Sequence, residues 1–220
     1  MKKILYSVAL AACCMGTMTS CSDFLDASNK SNVTAKQSFA TKEGLNNLVN
    51  NAYQHLQNVY AAPLFTSCFS AGTDMYADAR NKMNEALNTY ETLTPENTDI
   101  KNLYTYLYSG IRAANSVSYY AQTAQVDDKT KGQLVGEARV LAAYEYYLLV
   151  NNFGGVPIMK DFLTTADTGY PKSSAAEVYA YIISELEDVI GKNVLQASTA
   201  TKGGGRISQE TAKAILAKTY

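Results

Sequence analysis

The side chains that most often perform catalysis are sparse in this sequence. His55 is the only histidine, so a metal site built from several histidines is excluded, and a lone histidine on a helix flank is expected to be a satisfied surface group. Cys68 and His55 are two residue types of a nucleophilic triad, but the sequence indicates no third partner. Cys68 is expected to be a small buried hydrophobe. We therefore predict no enzyme activity, no metal and no cofactor.

Two further sequence patterns could indicate a chemical site. Glycoside hydrolysis needs two carboxylates across a cleft, whereas Glu185, Glu187 and Asp188 are close neighbours on one amphipathic helix and are expected to form its solvated polar face. The glycine run 203–205 lacks the lysine and the serine or threonine of a phosphate-binding loop. Lys and Arg (19) nearly balance Asp and Glu (20), without a run of like charge, which excludes the electrostatic footprint of a nucleic-acid binder.

The 17 tyrosines suggest binding rather than catalysis. The flat C–H faces of sugar rings stack on aromatic rings, while tyrosine hydroxyls and nearby polar side chains hydrogen-bond to sugar hydroxyls. Most tyrosines on helices, including Tyr104, Tyr144 and Tyr147, are expected to pack between helices instead. Tyr76 and Tyr90 lie in a loop and are equally compatible with packing and with ligand contact.

The central helix that must position these residues is predicted from Gly132 to Val150. This stretch has no proline, and its apolar residues recur at three- and four-residue steps and spill onto both flanks. Such a helix is packed on several sides and belongs at the centre of a helical domain. Gly154, Gly155 and Pro157 end it, because glycine tolerates the left-handed geometry of a helix exit and proline cannot continue the helix.

Other helices are predicted around it from periodicity and from capping residues. They follow Thr41, run over Thr98–Ala121, run from a capping box at Ser174 to Gly191, and follow Ser208. Residues 61–96 show no sustained period and are predicted to be a long irregular connection with one short helix near 81–87. Long loops on a helical scaffold are where binding residues concentrate.

The N-terminus has the pattern of a bacterial lipoprotein signal. Lys2 and Lys3 precede an apolar run, and a small-residue stretch then leads to Cys21, after which the chain turns polar. We predict a signal peptide over 1–20 and lipidation of Cys21. The alternative acceptor is Cys13, which follows a cleaner Leu-Ala-Ala sequence but leaves only a short apolar core.

The rest of the chain divides into a lipid-anchored tether, 21–40, and a helical domain, 41–220. No second apolar run of about 20 residues is present, so no spanning helix is predicted beyond the signal. Each buried methylene of an acyl chain adds about 0.8 kcal/mol, so several chains suffice to hold a protein on a membrane. Loss of Lys2 and Lys3 with the signal moves the formal net charge from −1 to −3.

Several motifs together resemble the SusD/RagB family of nutrient-binding outer-membrane lipoproteins. Gly136–Arg139 (GEAR), the aromatic helix after it and Phe153–Ile158 (FGGVPI) match the family's central signature, with Ala142 where the family often has arginine. The start at Cys21 and the helix around Leu103–Asn115 are similar to family elements too, although the family's usual tryptophan before that helix is absent. Residues 205–220 resemble the family's "GR.t..aAkalLArvY" pattern.

This resemblance implies an all-α helical bundle with tetratricopeptide-like helix pairs and long irregular loops, the N-terminal half of a SusD-like fold. It implies a non-catalytic lipoprotein on the outer face of the outer membrane, which binds glycans or other nutrient oligomers and delivers them to a SusC-like TonB-dependent transporter. Residues 72–76 lie where the family has an early loop that helps to build its ligand face. The candidate ligand-binding residues are Asp74, Tyr76, Arg80, Asn81 and Tyr90.

One alternative function remains open at this point. The protein could be a helical-repeat interaction lipoprotein whose main ligand is the transporter or a peptide, without a sugar site. The last predicted helix also reaches Tyr220 with an apolar face that stacked helical pairs would bury on a neighbour, so we expect a fragment or a truncated form that lacks the family's C-terminal half.

Overall fold

The structure is a computed structural model that describes residues 35–61, 63–76, 85–165, 169–199 and 205–220. The regular secondary structure of these residues is helical. The helices are α1 (Ala35–Ser38), α2 (Lys42–Tyr60), α3 (Leu64–Phe69), α4 (Glu85–Thr89), α5 (Thr98–Ala121), α6 (Asp128–Phe153), α7 (Ala175–Lys192) and α8 (Gln209–Thr219). Within these ranges there is no strand, and the prediction of an all-α fold is confirmed.

Helix α6 lies at the centre of the bundle and packs against α2, α5, α7 and α8. Ala138, Leu141, Tyr146 and Leu149 are buried on it, and Leu148 is only 7% exposed. The prediction of a helix packed on several sides is therefore confirmed. Because burying one leucine side chain stabilises a fold by roughly 1.5–3 kcal/mol, this helix supplies much of the hydrophobic stabilisation.

Both ends of α6 extend beyond the predicted 132–150. The side chain of Asp127 accepts a hydrogen bond from the Thr130 amide at 2.9 Å and caps the helix five residues before Gly132. At the other end, the Asn151 and Asn152 side chains donate to backbone carbonyls one turn earlier, so the helix continues to Phe153. It stops where Gly154 adopts a positive φ of 68°.

The GEAR motif links α6 to its neighbours. A Cβ on Gly136 would lie 2.8 Å from a Val194 methyl group, so only glycine allows this close approach. Arg139 donates to Glu185 at 2.7 Å and also pairs with Asp188 on α7. The side chains of Glu185 and Asp188 remain 25% and 40% exposed, so they lie on the polar face of α7 and also neutralise Arg139.

Glu137, the motif's remaining polar residue, is fully buried on the other side of α6. Its carboxylate accepts hydrogen bonds from Tyr53 on α2 and from Gln133, each at 3.1 Å, and forms an ion pair with Arg206. Arg206 also donates to two asparagines of α2, Asn46 and Asn50. This network fastens the segment before α8 to α2 and α6.

The exit of the chain from α6 at Gly154 and Gly155, here called the glycine exit, also requires glycine. A Cβ on Gly155 would lie 2.2 Å from the backbone oxygen of Ser173, so the chain leaving α6 passes directly against the segment that enters α7. The Ser173 amide donates to the Val156 carbonyl at 3.2 Å. The predicted capping box is confirmed, since Ser174 and Glu177 satisfy each other's backbone amides at the start of α7.

The long connection after α2 contains a helix that the sequence pattern did not predict. Helix α3 has six residues, too few for a recognisable period, and it is held by ring contacts of Phe65 and Phe69 with Tyr60. Helix α4 spans Glu85–Thr89, slightly later than the predicted 81–87. Residues 77–84, and with them part of that prediction, lie outside the described residues.

The predicted signal peptide and the lipidated Cys21 also lie outside the described residues. The last residues of the predicted tether contact the end of α5, because Phe39 packs on Tyr120 at 4.8 Å and the Gln125 amide donates to the Ala40 carbonyl. In the part of the chain described above, none of the helices has the length and apolarity needed to cross a bilayer.

Candidate functional site

Three of the five predicted ligand-binding residues can be placed. Asp74 is exposed and Tyr76 is half-buried in the turn that follows α3, which is closed by hydrogen bonds from the Thr73 hydroxyl to the Ser70 carbonyl and from the Tyr76 amide to the Thr73 carbonyl. Tyr90 follows α4 directly. Arg80 and Asn81 lie outside the described residues.

Tyr90 is brought to this turn by an unusual backbone conformation. Its φ is 63°, a left-handed value that is uncommon for an aromatic residue. The conformation sends its hydroxyl to Gly72, where it lies 3.5 Å from the carbonyl oxygen, while the Gly72 amide donates to Asn88. The ring remains 59% exposed. Tyr90 therefore lies beside the turn that carries Asp74.

Tyr90 also lines a cavity of about 390 Å³, here called the loop cavity. Its other walls include Cys68, Leu93, Asn152 and Phe153. Burial raises the pKa of the Cys68 thiol to about 11, with a further contribution from Asp99. Cys68 thus remains a neutral thiol at physiological pH and acts as part of an apolar wall.

A larger depression of about 580 Å³ lies along α5, and we name it the tyrosine groove. Pro157 and Met159 form part of its lining. The other lining residues are three tyrosines, two residues with hydroxyl side chains and one arginine: Tyr104, Tyr108, Tyr170, Thr105, Ser109 and Arg112. The expectation that Tyr104 packs between helices is only partly right. Its ring packs on the core and also faces this groove.

The floor of the tyrosine groove is the extended segment that follows the glycine exit. Side chains from two helices hold its backbone in place. Tyr108 donates to the Pro157 carbonyl at 2.7 Å and Asn115 donates to the Met159 carbonyl at 2.8 Å. The Met159 amide in turn donates to the Tyr146 hydroxyl at 2.7 Å. Because this backbone is fixed at three points, the groove is largely preformed.

A third cavity of about 240 Å³, the Asn115 pocket, continues the tyrosine groove along α5. It is lined by Ile111, Arg112, Asn115, Met159, Asp161, Leu163 and Thr165. Arg112 and Met159 line both depressions, so the two share a wall. Arg112 itself lies over the ring of Phe162 at 5.5 Å.

The loop cavity meets the tyrosine groove through a contact between two rings. Phe153 lines the cavity, Tyr104 lines the groove, and their centroids are 5.1 Å apart in an edge-to-face arrangement. The three depressions together form one row, here called the α5 surface. The residues predicted from the sequence include Tyr90, at one end of this row, but none of the groove residues. The four-residue spacing of Tyr104, Tyr108 and Arg112 indicates a stripe on one helix face.

The chemistry available on the α5 surface is that of binding. Burial raises the pKa of the Tyr108 hydroxyl above its usual value, so this group stays neutral and can both donate and accept hydrogen bonds. The described ranges contain no group of three or more metal-ligating side chains close enough to hold an ion. Apolar walls with a few converging polar groups are typical of a small-molecule site, and the three tyrosines suit the faces of sugar rings.

His55 lies elsewhere and differs from its prediction. It is half-buried on α2, and its Nδ1 has no hydrogen-bond partner among the described residues. Burial lowers its pKa below the usual value. The expectation of a satisfied surface histidine is therefore wrong, because the side chain packs partly inside the bundle as a neutral ring.

Comparisons with known proteins place this architecture. Residues 23–220 match the model of the SusD-like family, described as starch-binding and associating with the outer membrane. The chain belongs to the SusD-like family. This confirms the resemblance inferred from the GEAR and FGGVPI motifs.

Individual SusD-like relatives agree with this assignment. SusD-like protein P38 of Formosa agariphila is 28% identical over 179 residues, which cover 79% of this chain and 34% of the relative. Surface glycan-binding protein A from Bacteroides uniformis superposes with a TM-score of 0.68 at 26% identity, over 80% of this chain and 41% of that one. A similar protein from Bacteroides thetaiotaomicron, solved with laminarihexaose, gives a TM-score of 0.65 at 21% identity over 81% and 38% of the two chains.

This SusD-like chain therefore spans well under half the length of these relatives. At 21% identity, the similarity to the Bacteroides thetaiotaomicron protein concerns the fold alone.

Proposed function

We propose that this protein is a non-catalytic lipoprotein of the cell surface that binds oligosaccharides on its α5 surface. The observation that carries this proposal is the row of three adjoining depressions, whose largest member is lined by Tyr104, Tyr108 and Tyr170. Together with the loop cavity and the Asn115 pocket it has room for several consecutive sugar units.

The residue types of the tyrosine groove suit this ligand. Aromatic rings stack on the C–H faces of sugars, and Thr105, Ser109 and Arg112 supply hydrogen-bonding groups beside the rings. The preformed floor reduces the conformational entropy that ligand binding would otherwise cost. Family membership supports the same ligand class, since the family is described as starch-binding and some relatives are named for glycan binding.

We also propose that the bound oligosaccharide is passed on to a transporter. A protein anchored through an acylated Cys21 would hold its captured oligosaccharide at the outer membrane and deliver it to a SusC-like TonB-dependent transporter. The family's description as associating with the outer membrane supports this location. The predicted tether, 21–40, would connect the lipid to the helical domain.

The binding proposal is tested by titrating the purified protein with neutral oligosaccharides in a calorimeter. Tyr104→Ala and Tyr170→Ala are expected to weaken binding at least about tenfold, equivalent to about 1.4 kcal/mol each. Tyr170 lies outside the helices, so its variant retains the helical core even if Tyr104→Ala perturbs packing. Tyr220→Ala, which removes a 79% exposed ring outside the α5 surface, serves as the matched control.

Two results would overturn the proposal. One is a folded protein, verified by circular dichroism, that binds none of a broad panel of oligosaccharides. The other is binding that both groove variants leave unchanged. Capture of a SusC-like transporter without any sugar binding would instead favour the interaction lipoprotein, the alternative function. Turnover of a glycan, abolished by changing a single carboxylate, would show an enzyme.

A further inference from the structure

We propose that the α5 surface selects an oligosaccharide that carries a negatively charged substituent, such as a uronate carboxylate or a sulfate ester, and that Arg112 binds this group. The inference rests on the proposed sugar-binding function and specifies its ligand class.

Arg112 lies at the junction of the two depressions that would hold the sugar chain. Among the residues that the structure describes, it is the one charged residue that lines both the tyrosine groove and the Asn115 pocket. It also belongs to a stripe on α5, because Tyr104, Tyr108 and Arg112 follow one another at four-residue steps, which place them about 6 Å apart along the helix axis. A chain of sugar rings stacked on the two tyrosines would thus bring its next unit to the guanidinium.

The charge of Arg112 is available for a ligand. The described residues include three arginines, and two of them are already engaged: Arg139 pairs with Glu185 and Asp188, and Arg206 pairs with Glu137. Within the same described ranges, Arg112 forms no ion pair, and its recorded contact is the face of Phe162 at 5.5 Å. A guanidinium has five donors in a planar fork that matches the geometry of carboxylate and sulfate oxygens.

The surroundings hold Arg112 without neutralising it. Phe162 supports the guanidinium by a cation–π contact, which leaves the donors at its edge free. Asp161 also lines the Asn115 pocket, and its carboxylate lies close enough to Tyr181 to contribute to the raised pKa of that hydroxyl. Repulsion from Asp161 would therefore direct an anionic substituent toward the groove side of Arg112, while Asp161 could accept hydrogen bonds from neutral sugar hydroxyls.

The test compares oligosaccharides that share a backbone and differ in charge. Suitable pairs are β-1,4-linked mannohexaose with hexamannuronate, cellohexaose with its C6-carboxylated form, and laminarihexaose with its sulfated form. Binding to the purified protein is measured by calorimetry at low and at high salt. We expect at least one charged member to bind about tenfold more tightly than its neutral partner, as one charge-assisted bidentate contact provides, and this preference to shrink with salt.

Two variants identify the responsible group. Arg112→Gln is expected to remove the preference, so that the charged and neutral members of a pair bind this variant with equal affinity. Lys129→Gln removes one positive charge from the exposed first turn of α6, away from the α5 surface, and is expected to leave the preference unchanged. This control separates a specific contact from a general effect of net charge.

The outcomes distinguish this inference from the function on which it depends. Equal binding of charged and neutral members, or a preference that Arg112→Gln does not alter, overturns the charged-ligand inference while oligosaccharide binding stands. Failure of every oligosaccharide to bind the folded protein overturns the proposed function and this inference with it.

Discussion

Arg206 and Glu137 form an ion pair of 2.9 Å although they are far apart in the chain and Glu137 is completely buried. The pair connects the short GR motif before α8 to the GEAR motif of α6, so two sequence signatures that seem independent are two halves of one contact. Tyr53 completes the arrangement, because its hydroxyl donates to Glu137 and accepts from the Ile207 amide.

This pair predicts that Arg206→Ala is strongly destabilising. Removal of the guanidinium leaves a buried carboxylate without its counter-charge, which typically costs about 3–5 kcal/mol. Urea denaturation followed by circular dichroism measures the change. The double variant Glu137→Leu with Arg206→Met removes both charges together. We expect it to lose less unfolding free energy than Arg206→Ala. A larger loss in the double variant would contradict this account.

The pH dependence of the Arg206→Ala variant follows from the same contact. Burial raises the pKa of Glu137, and Arg206 is the largest opposing influence, so its removal raises this pKa further. A carboxyl whose folded pKa exceeds its unfolded value loses stabilisation as pH rises above the unfolded value. The deficit of the variant relative to wild type should thus be larger at pH 8 than at pH 4. A deficit that is constant with pH would show that Glu137 does not ionise in the fold.

Glu145 provides a second prediction, because it is fully buried on α6 and neither carboxyl oxygen has a hydrogen-bond partner among the described residues. Burial raises its pKa well above the usual value. The unfolded chain ionises this group near pH 4.5 and the folded chain does so only at higher pH, so wild-type stability should fall as pH rises through this window. Glu145→Met should remove the contribution of Glu145 to this decline and stabilise the protein by about 1–3 kcal/mol at pH 7.

Thermal or urea unfolding at pH 4, 5.5 and 7 tests the Glu145 prediction. Glu187→Met is the matched control for loss of a carboxylate, since Glu187 is exposed on α7, and we expect no comparable gain in stability at pH 7. The account is contradicted if Glu145→Met lowers stability at pH 7, which would mean that the carboxyl makes a favourable contact.

The helices could largely be predicted from the sequence, because their signals are local. Thr41, Ser174 and Ser208 each precede a helix, and each accepts the expected hydrogen bond from a backbone amide near the start of that helix. The bounds of α5 also match the prediction. The start of α6 lies four residues before the predicted Gly132, because the polar residues 125–130 resemble a turn, whereas the helix is capped at Asp127 and continues through Gly132.

The proposed binding surface was harder to predict because it arises from contacts between distant segments. Tyr104 and Tyr108 are visible in the sequence, but the groove exists only because the segment after Pro157 crosses α5 and is held there by Tyr108 and Asn115. No local period encodes that crossing. Tyr90 could be proposed from its loop position, whereas its φ of 63° and its contact with Gly72 could not.

The floor of the groove predicts a role for Asn115 that does not require ligand contact. Asn115→Ala removes the donor to the Met159 carbonyl and should cost about 0.5–1.5 kcal/mol of stability. Release of this backbone should also weaken oligosaccharide binding, although all three tyrosines remain. Asn151→Ala removes a similar bond, to the Tyr147 carbonyl within α6, and should leave binding unchanged. Equal effects of the two variants on binding would contradict a specific role for the floor.

Substitution by alanine is predicted to change the stability in opposite directions at Gly155, in the exit from α6, and at Gly191, in α7. Gly155→Ala should destabilise the protein by about 1–3 kcal/mol, because the new Cβ would lie 2.2 Å from the Ser173 backbone oxygen, which cannot move without displacing the start of α7. Gly191→Ala lies in α7 with no neighbour within 4 Å and should stabilise by about 0.5–1 kcal/mol. Denaturation midpoints of the two variants test both signs, and a neutral Gly155→Ala would remove the steric explanation of the motif.

Lipidation remains a prediction from the N-terminal pattern, and a cysteine comparison tests it. In cells supplied with radiolabelled palmitate, Cys21→Ser should abolish the label on the protein and release it from the membrane fraction, because the acyl chains provide the anchor at about 0.8 kcal/mol per buried methylene. Cys13→Ser should retain the label, since Cys13 lies within the predicted signal, 1–20. Loss of the label in Cys13→Ser alone would identify Cys13 as the acceptor and place Cys14 in the mature protein. Retention in both variants would show that neither cysteine anchors the chain.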